Sequence, residues 1–599
     1  VKSLMLFLQN VLEDLGTWCC TSTLLDLKTI KKRVEDEGIS FLTISLAQFG
    51  ADFQKSLDQG YVGSDQFAGF RRTGGLPRLF SGFLCHIFDS ESGRLIDNPS
   101  IVHIHAIRQI TLMWAKIDLP CTDARRVRAL RKFIDCEQDV KHYDKNWTDE
   151  SRSRFSRIGT LLWADVLTSV DETVYRGEII PQHGPGATAD RKVGNDKWRI
   201  TEWTERLDSQ FPVGEFVLPN QRYWKDLSGV HILEPGAERP VRVITVPKTL
   251  KTPRIIAIEP VCMQYVQQGL LGEIQRAVEA NDTARQLIGW QSSVPNQHLA
   301  CIGSRNEALA TLDLREASDR VSNQHVRVLL RNFGSLLAAV DAARSRKAAV
   351  LELNRTIRLA KFASMGSALT FPMEAMVFCT VVFMGIEKAL NRPLTRKDIK
   401  SLTGQVRVYG DDIIVPVDYV HAVIEELETF GFLVNSSKSF WTGKFRESCG
   451  KEYYDGSDVS IVRIRSMLPS SRKHAEEIVS TVSLRNHLYE AGLWKAAGYL
   501  DDLLERIIPF PMVGPESPVL GRRSFLGYET QRICRHLHRP LVKGMVVTPS
   551  IPASVLDGVP ALLKVLSKTS GLPNPDPKHL ERAGRPRSTD IKARWSVPY

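Results

Sequence analysis

The stretch Val406-Arg407-Val408-Tyr409-Gly410-Asp411-Asp412-Ile413-Ile414-Val415 sets two β-rich arms around a Gly-Asp turn, which predicts a tight hairpin. Burial suits the arms and not the turn, so the two carboxylates are expected at an accessible tip where a hard divalent cation reaches them. A Gly-Asp-Asp tripeptide alone arises in roughly one chain in ten of this size, and both residue types are ordinary in turns. Its meaning comes from the rest of the sequence. Upstream, Leu309-Ala310-Thr311-Leu312 reads as a strand running into the carboxylate cluster Asp313-Leu314-Arg315-Glu316-Ala317-Ser318-Asp319. If Asp313 ends a strand beside the hairpin, it and Asp411 can share two Mg²⁺ ions about 3.5–4 Å apart, the arrangement used for nucleotidyl transfer.

Such a reaction also needs cations for a triphosphate. Residues 239–254 supply Arg239, Arg242, Lys248, Lys251 and Arg254 with no acidic residue among them. The β-branched run from Val241 to Ile258 predicts strand, turn and strand; alternate positions share a face, so Arg254 and one or both lysines are expected to line a phosphate channel. Val266, Leu270, Ile274 and Val278 are spaced for a helix packed behind it. Ser364-Met365-Gly366-Ser367-Ala368 precedes the apolar run Ala375 to Ile386, predicting a small-residue loop at the start of a buried helix. Plainer roles fit the same residues: a strand end or N-cap for Asp313, a solvated hairpin for the basic run, a simple helix start for the Ser-Met-Gly loop.

The 599 residues are 43% hydrophobic, a globular composition with room for about four domains or one multi-lobed enzyme. The net charge of +11 is local, since residues 521–599 hold 14 Lys plus Arg against 5 Asp plus Glu. Such a tail suits nucleic acid or a solvated surface equally. No apolar run approaches the ~18 residues of a membrane span, and Leu4 to Leu8, preceded only by Lys2, does not read as a signal peptide. Ten scattered cysteines without a C-x-x-C argue against zinc or a disulfide framework and for a reducing cytoplasm. The mixed-charge residues 122–158 are expected as exposed helices and loops, Gln182 to Thr188 as a turn, and 474–508 as helical. Pro509, Pro511, Pro515 and Pro518 predict a linker, and 571–588 an extended surface segment.

In order, a basic hairpin, Asp-x5-Asp, a Ser-Met-Gly loop, a Tyr-Gly-Asp-Asp hairpin and Val434-Asn435-Ser436-Ser437-Lys438 resemble a right-handed viral RNA-dependent RNA polymerase. More narrowly, Gly184-Pro185-Gly186-Ala187, Ile256-Ala257-Ile258-Glu259-Pro260, Asn296-Gln297 and Phe445-Arg446-Glu447-Ser448-Cys449-Gly450-Lys451 resemble the replicase beta subunits of positive-strand RNA bacteriophages, the Q-beta-like levivirus group. The resemblance covers roughly residues 180–460. It implies an α+β polymerase hand with an antiparallel palm sheet: residues 1–238 as N-terminal region and fingers, 239–304 as basic hairpin and approach to the palm, 305–460 as palm, and 461–599 as helical thumb with a basic C-terminal region. It implies Asp313, Asp411 and Asp412 as ligands of two Mg²⁺ ions, with Mn²⁺ as a substitute. Lys248 and Arg254 would grip the triphosphate, Asp319 would sit near the ribose, Ser364 and Gly366 beside the nascent base pair, and Lys438 would act as general acid toward pyrophosphate. Pro372 departs from the expected helix former and moves the helix start. Implied partners are RNA template and product, ribonucleoside triphosphates, host elongation factors Tu and Ts, and an mRNA-binding ribosomal protein, in the cytoplasm of a bacterial host. A reverse transcriptase and a catalytically dead RNA-binding scaffold are the alternatives; Asp319 speaks against the first, the full set of carboxylates against the second.

Overall fold

The computed structural model describes residues 2–549, 555–568 and 589–599; the proline-rich segment 571–588 lies outside them. The N-terminal part is helical: α1 (Lys2–Trp18), α2 (Leu46–Gln59), α3 (Ile101–Leu112), α4 (Asp123–Lys145) and α5 (Asp149–Tyr175). Thr122 and Thr148 start the last two as N-caps, their side chains accepting the backbone N–H of Arg125 and Ser151. The middle runs β1 (Val241–Val246), β2 (Arg254–Ile258), α6 (Val261–Ala280), β3 (Leu309–Arg315), β4 (Lys347–Val350), β5 (Arg355–Arg358), α7 (Thr370–Leu390), β6 (Arg407–Tyr409), β7 (Asp412–Pro416), α8 (Val420–Thr429) and β8 (Leu433–Val434).

Two four-stranded sheets organise this middle. The central one is antiparallel in the order β6-β7-β3-β8. Leu309, Ala310, Leu312 and Leu314 of β3 are buried, a near-continuous run that fits a strand paired on both sides. The apolar helix α7, buried almost all round from Met373 to Ile386, packs into the same core. Pro372 stands in its first turn, where the N–H it lacks has no helical partner anyway. The second sheet has the order β2-β1-β4-β5, with β1 and β4 parallel, and shares a core with Leu130 and Phe133 of α4. The α+β class with an antiparallel central sheet is therefore observed.

Two results depart from the sequence reading. Residues 1–238 do not form one unit: Leu4 to Ile117 share a core with Phe440 to Leu500, whereas Trp147 to Ile288 join the core of the central sheet. Asp58 shows why the first partition was hidden, because its buried carboxylate accepts the backbone N–H groups of Trp441 (3.0 Å) and Thr442 (3.1 Å), nearly four hundred residues away. Past β9 (Phe445–Ser448) and β10 (Lys451–Tyr454), the C-terminal region is not only helical. After α9 (Ala475–Glu490) and α10 (Trp494–Glu505), β11 (Val519–Leu520), β12 (Arg532–Ile533) and β13 (Pro540–Pro549) form a sheet. Helix α11 (Gly558–Lys568) intervenes before β14 (Thr589–Ser596) pairs with β13. Pairing across so long a separation leaves no hairpin signature in the sequence. No helix among the described residues is long and apolar enough to cross a membrane.

Candidate active site

The β6–β7 turn is two residues long, closed by the Tyr409–Asp412 pair. Gly410 has φ +61°, and a Cβ there would lie 2.8 Å from the Phe371 ring, so the position demands glycine on both counts. Asp411 stands accessible at the tip, while Asp412 begins β7 directly opposite Asp313 of β3. Opposed residues on paired strands point to the same face, and the expectation that Asp313 lies beside the hairpin is met. Asn435 Nδ2 donates to Asp313 Oδ2 at 2.6 Å, and the Asp313 N–H donates to Ser439 Oγ at 3.1 Å. Both partners flank Lys438.

Electrostatics couples these groups. Burial raises the Asp313 carboxyl above its ordinary range against the pull of Lys438 and the Asn435 hydrogen bond. Asp412 is pushed up to about 7, first by burial and then by the Asp411 charge. For Lys438 burial works downward, but Asp313, Glu447, Asp411 and Asp412 together hold the ammonium above its usual value. Lys248 goes the other way: desolvation, then Arg254 and Lys438, outweigh Asp411 and Asp313 and lower it.

Asp411 and Lys248 border a cavity of about 880 Å³, within the usual span of small-molecule sites. Of the residues singled out in the sequence, Lys248, Arg254, Asp319, Gly366 and Asp411 line it; Asp313, Asp412, Ser364 and Lys438 do not. Ser364 reaches it through Asp319, whose Oδ1 accepts from Ser364 Oγ (2.8 Å) and from the buried Lys361 Nζ (3.2 Å). Gly366, at φ +126°, sits where a Cβ would lie 2.1 Å from the Ala257 carbonyl. The Ala257 N–H donates to Met365 O at 2.8 Å, so the loop is strapped to β2. Strand alternation does not place the lysines as expected. Lys248 and Lys251 sit in the loop 247–253 between β1 and β2, while Arg239 pairs with Glu202 and Arg242 bonds to Thr188 O.

Three features escaped the sequence reading. Glu374 of α7 lines the cavity at 7% exposure with Oε2 unpartnered; burial, then Asp411 and Asp319, push its carboxyl well above the normal range. Its one signal is an acidic residue opening an apolar helix. Glu137 of α4 is also buried and pairs with Lys361 (3.3 Å). Finally α4, expected to be plain exposed surface, forms a wall of the cavity with Arg125, Arg128 and Lys132, whose i, i+3, i+7 spacing gathers them on one face.

The donor set is all oxygen, and the carboxyls of Asp313 and Asp412, raised first by burial and further by the Asp411 charge, are what an added cation would relieve. Among the described residues no three acidic, His or Cys side chains converge on one point. Mg²⁺ takes one or two carboxylates and completes its shell with water and phosphate oxygens, so an all-oxygen donor set suits it.

Residues 236–479 match the family model described as RNA replicase, beta-chain. The resemblance read from the motifs holds over this segment. The chain is 37% identical over 229 residues to the RNA-directed RNA polymerase subunit beta of Qbeta virus (strain MX1), covering 38% of this chain and 36% of that protein. It is 36% identical over 217 residues to the RNA-directed RNA polymerase beta chain of Escherichia phage MS2, covering 36% of each. The match thus spans about a third of the length of these relatives. Among solved structures, the RNA-dependent RNA polymerase of a human picobirnavirus aligns with TM-score 0.34 at 16% identity, over 45% of this chain and 57% of that one.

Proposed function

We propose that this chain is an RNA-directed RNA polymerase that copies the genome of a positive-strand RNA phage from ribonucleoside triphosphates. The observation that carries the reading is the pairing of Asp313 with Asp412 on adjacent central strands, with Asp411 at the turn, Lys248 and Lys438 near enough to feel their charge, and Arg254 beside Lys248. In this reading the central sheet is the palm, the second sheet and α4 belong to the fingers, and the region after residue 460 is the thumb side.

Asp313, Asp411 and Asp412 would hold two Mg²⁺ ions, or Mn²⁺ in their place. Bound there, the ions would lower the pKa of the attacking 3′-hydroxyl and stabilise charge on the leaving oxygen. Lys248 and Arg254 bind the triphosphate and orient its α-phosphorus toward that hydroxyl. Lys438, held protonated by its carboxylate neighbours, donates a proton to the pyrophosphate oxygen as it leaves. Asp319, steadied by Ser364 and Lys361, accepts the ribose 2′-hydroxyl, and Gly366 lets the loop backbone approach the nascent base pair. The chain works in the cytoplasm of a bacterial host with elongation factors Tu and Ts and an mRNA-binding ribosomal protein, a reading supported by its relatedness to phage replicases alone. The test is purification of the tagged full chain from its host with whatever proteins accompany it, followed by incorporation of labelled ribonucleotides on added RNA. Template-dependent RNA product is expected; no product on any RNA template, with the accompanying proteins present, contradicts the assignment.

A further inference from the structure

Gln267 is a polar side chain set into an apolar core. It sits on α6 at 1% exposure, on the same stretch of helix as Met263, Val266 and Leu270, all buried. An amide there is costly unless its donors and its acceptor are met. Its Nε2 donates at 2.8 Å to the carbonyl of Ala343, the last residue of the helix Gly334–Ala343. Its Oε1 accepts from Ser367 Oγ at 3.0 Å and from the Ala368 N–H at 3.2 Å. One amide thus ties the loop 364–368 to two helices of the central core. On the other side of Gly366 the loop is held by different means. Thr370 Oγ1 donates to Ser364 O at 2.8 Å, and the Ala257 N–H of β2 donates to Met365 O. Gly366 therefore lies between a clamp on β2 and a clamp on α6, and it lines the cavity together with Met365 and Ser367. Gln267 itself does not line the cavity, so any influence it has there passes through the loop.

We infer that Gln267 is a positioning residue: it fixes the loop backbone at Gly366 where the nascent base pair is received, and so sets how strictly that pair must have Watson–Crick shape. This rests on the polymerase reading for what the loop receives; the clamp itself stands on the hydrogen bonds alone. A backbone edge held from both sides meets a correctly paired nucleotide at contact distance and does not move aside for a mispair of different width. Freed on one side, the same edge yields to both. The clamp therefore acts on discrimination between nucleotides and leaves the metal site and the proton donor alone.

The experiment uses the full chain with its co-purifying proteins, comparing wild type with Gln267→Met, Ser367→Ala and the double variant. Gln267→Met keeps the length of the side chain and removes the amide; Ser367→Ala cuts one contact of the same clamp from the loop side and leaves the core of α6 intact. Two quantities are read: hydrogen exchange of the backbone over 364–369 without nucleotide, and KM and kcat for matched and mismatched ribonucleotides on a defined RNA template. In Gln267→Met, exchange over 364–369 is expected to quicken by about five- to tenfold, and the matched-to-mismatched ratio of kcat/KM to fall by about tenfold. Turnover of the matched nucleotide at saturation stays within about twofold, its KM rises, and Ser367→Ala shifts both readouts the same way by less. The double variant matches Gln267→Met, because both changes break one clamp. Should Gln267→Met fail to unfold cooperatively in urea, Ser367→Ala alone decides, by the same signs. Unchanged exchange over 364–369 overturns the clamp. Faster exchange with an unaltered ratio, or an equal fall in turnover for matched and mismatched nucleotides, reduces Gln267 to a structural residue and overturns the inference. Wild-type protein that incorporates no nucleotide on any RNA template, while its variants still show the exchange effect, would sink the polymerase reading and the role in pair selection with it, leaving only the clamp.

Discussion

The acidic and the basic side of the site, its two walls, are built by opposite means. On the acidic side Asp313 and Asp412 face each other across the ladder of a buried sheet, with Asp411 on a two-residue turn that only glycine can close. On the basic side the cations ride on the loop 247–253 and on α4, elements held together by the contacts of Arg125 and Cys121 with that loop. The core strands hold these carboxylates out of water and close together at a cost, as the carboxyl of Asp412 shows, raised first by burial and then by the Asp411 charge, and that spacing is what a metal site needs. A loop and a helix face hold cations more loosely, which is enough for gripping a flexible triphosphate. The acidic wall should therefore tolerate almost no chemical change and the basic wall a graded loss.

Predictions follow that contrast downward in size. Asp313→Asn keeps the strand and the side-chain shape but removes a charge, and nucleotide incorporation should fall by several orders of magnitude while RNA binding persists; a deficit under tenfold would put Asp313 outside the metal site. Lys438→Leu should slow the chemical step by about 10²–10⁴-fold and Lys438→Arg by less, measured by single-turnover kinetics, and equal rates in all three proteins would remove its proton-donating role. Asp319→Ala removes a hydrogen-bond acceptor and should narrow the preference for ribo- over deoxyribonucleotides by about tenfold; an unchanged ratio would place the ribose elsewhere. The smallest effect concerns stability at the end of β2. Glu259 is buried, donates nothing when ionised, accepts from Ser345 Oγ at 2.5 Å, and has its carboxyl raised by burial to about 7. Its folded state holds a proton that the unfolded chain releases near pH 4.5, so this contribution is full below about pH 4.5 and is lost as pH rises through about 7. Glu259→Gln should flatten that pH dependence and gain of order 1–3 kcal/mol at pH 8, read by urea unfolding; the same slope in both proteins would assign the pH dependence to other groups.

The acidic wall was largely legible in the sequence because its signals are local. A β-rich run, a Gly-Asp turn and a strand leading into Asp313 each declare themselves within ten residues; the structure aligns them and carries the strand two residues past the expected end, to Arg315, where it pairs with β8. Lys248 and Arg254 were legible as charge, but the strand-face argument missed that the lysines sit on the connecting loop. What stayed hidden depends on distant partners. The charges of α4 look like solvated surface until Phe133 and Leu130 are seen packed on the second sheet. Glu374 looks like a helix residue until Asp411 and Asp319 are beside it, and Asp58 gives no sign that it holds residues 441–442. The C-terminal sheet was missed for the same reason, since β13 and β14 are separated by α11 and find each other only in three dimensions.

The most direct test of the account is Mg²⁺-dependent incorporation of a single ribonucleotide on an RNA template by wild-type and Asp411→Asn protein, each purified with its accompanying host proteins and shown to bind RNA equally. Asp411 is exposed at the turn, with its side chain outside the strand pairing, so the variant should fold as the wild type does. The account predicts loss of incorporation by several orders of magnitude with RNA affinity intact; near-normal synthesis by Asp411→Asn would contradict it.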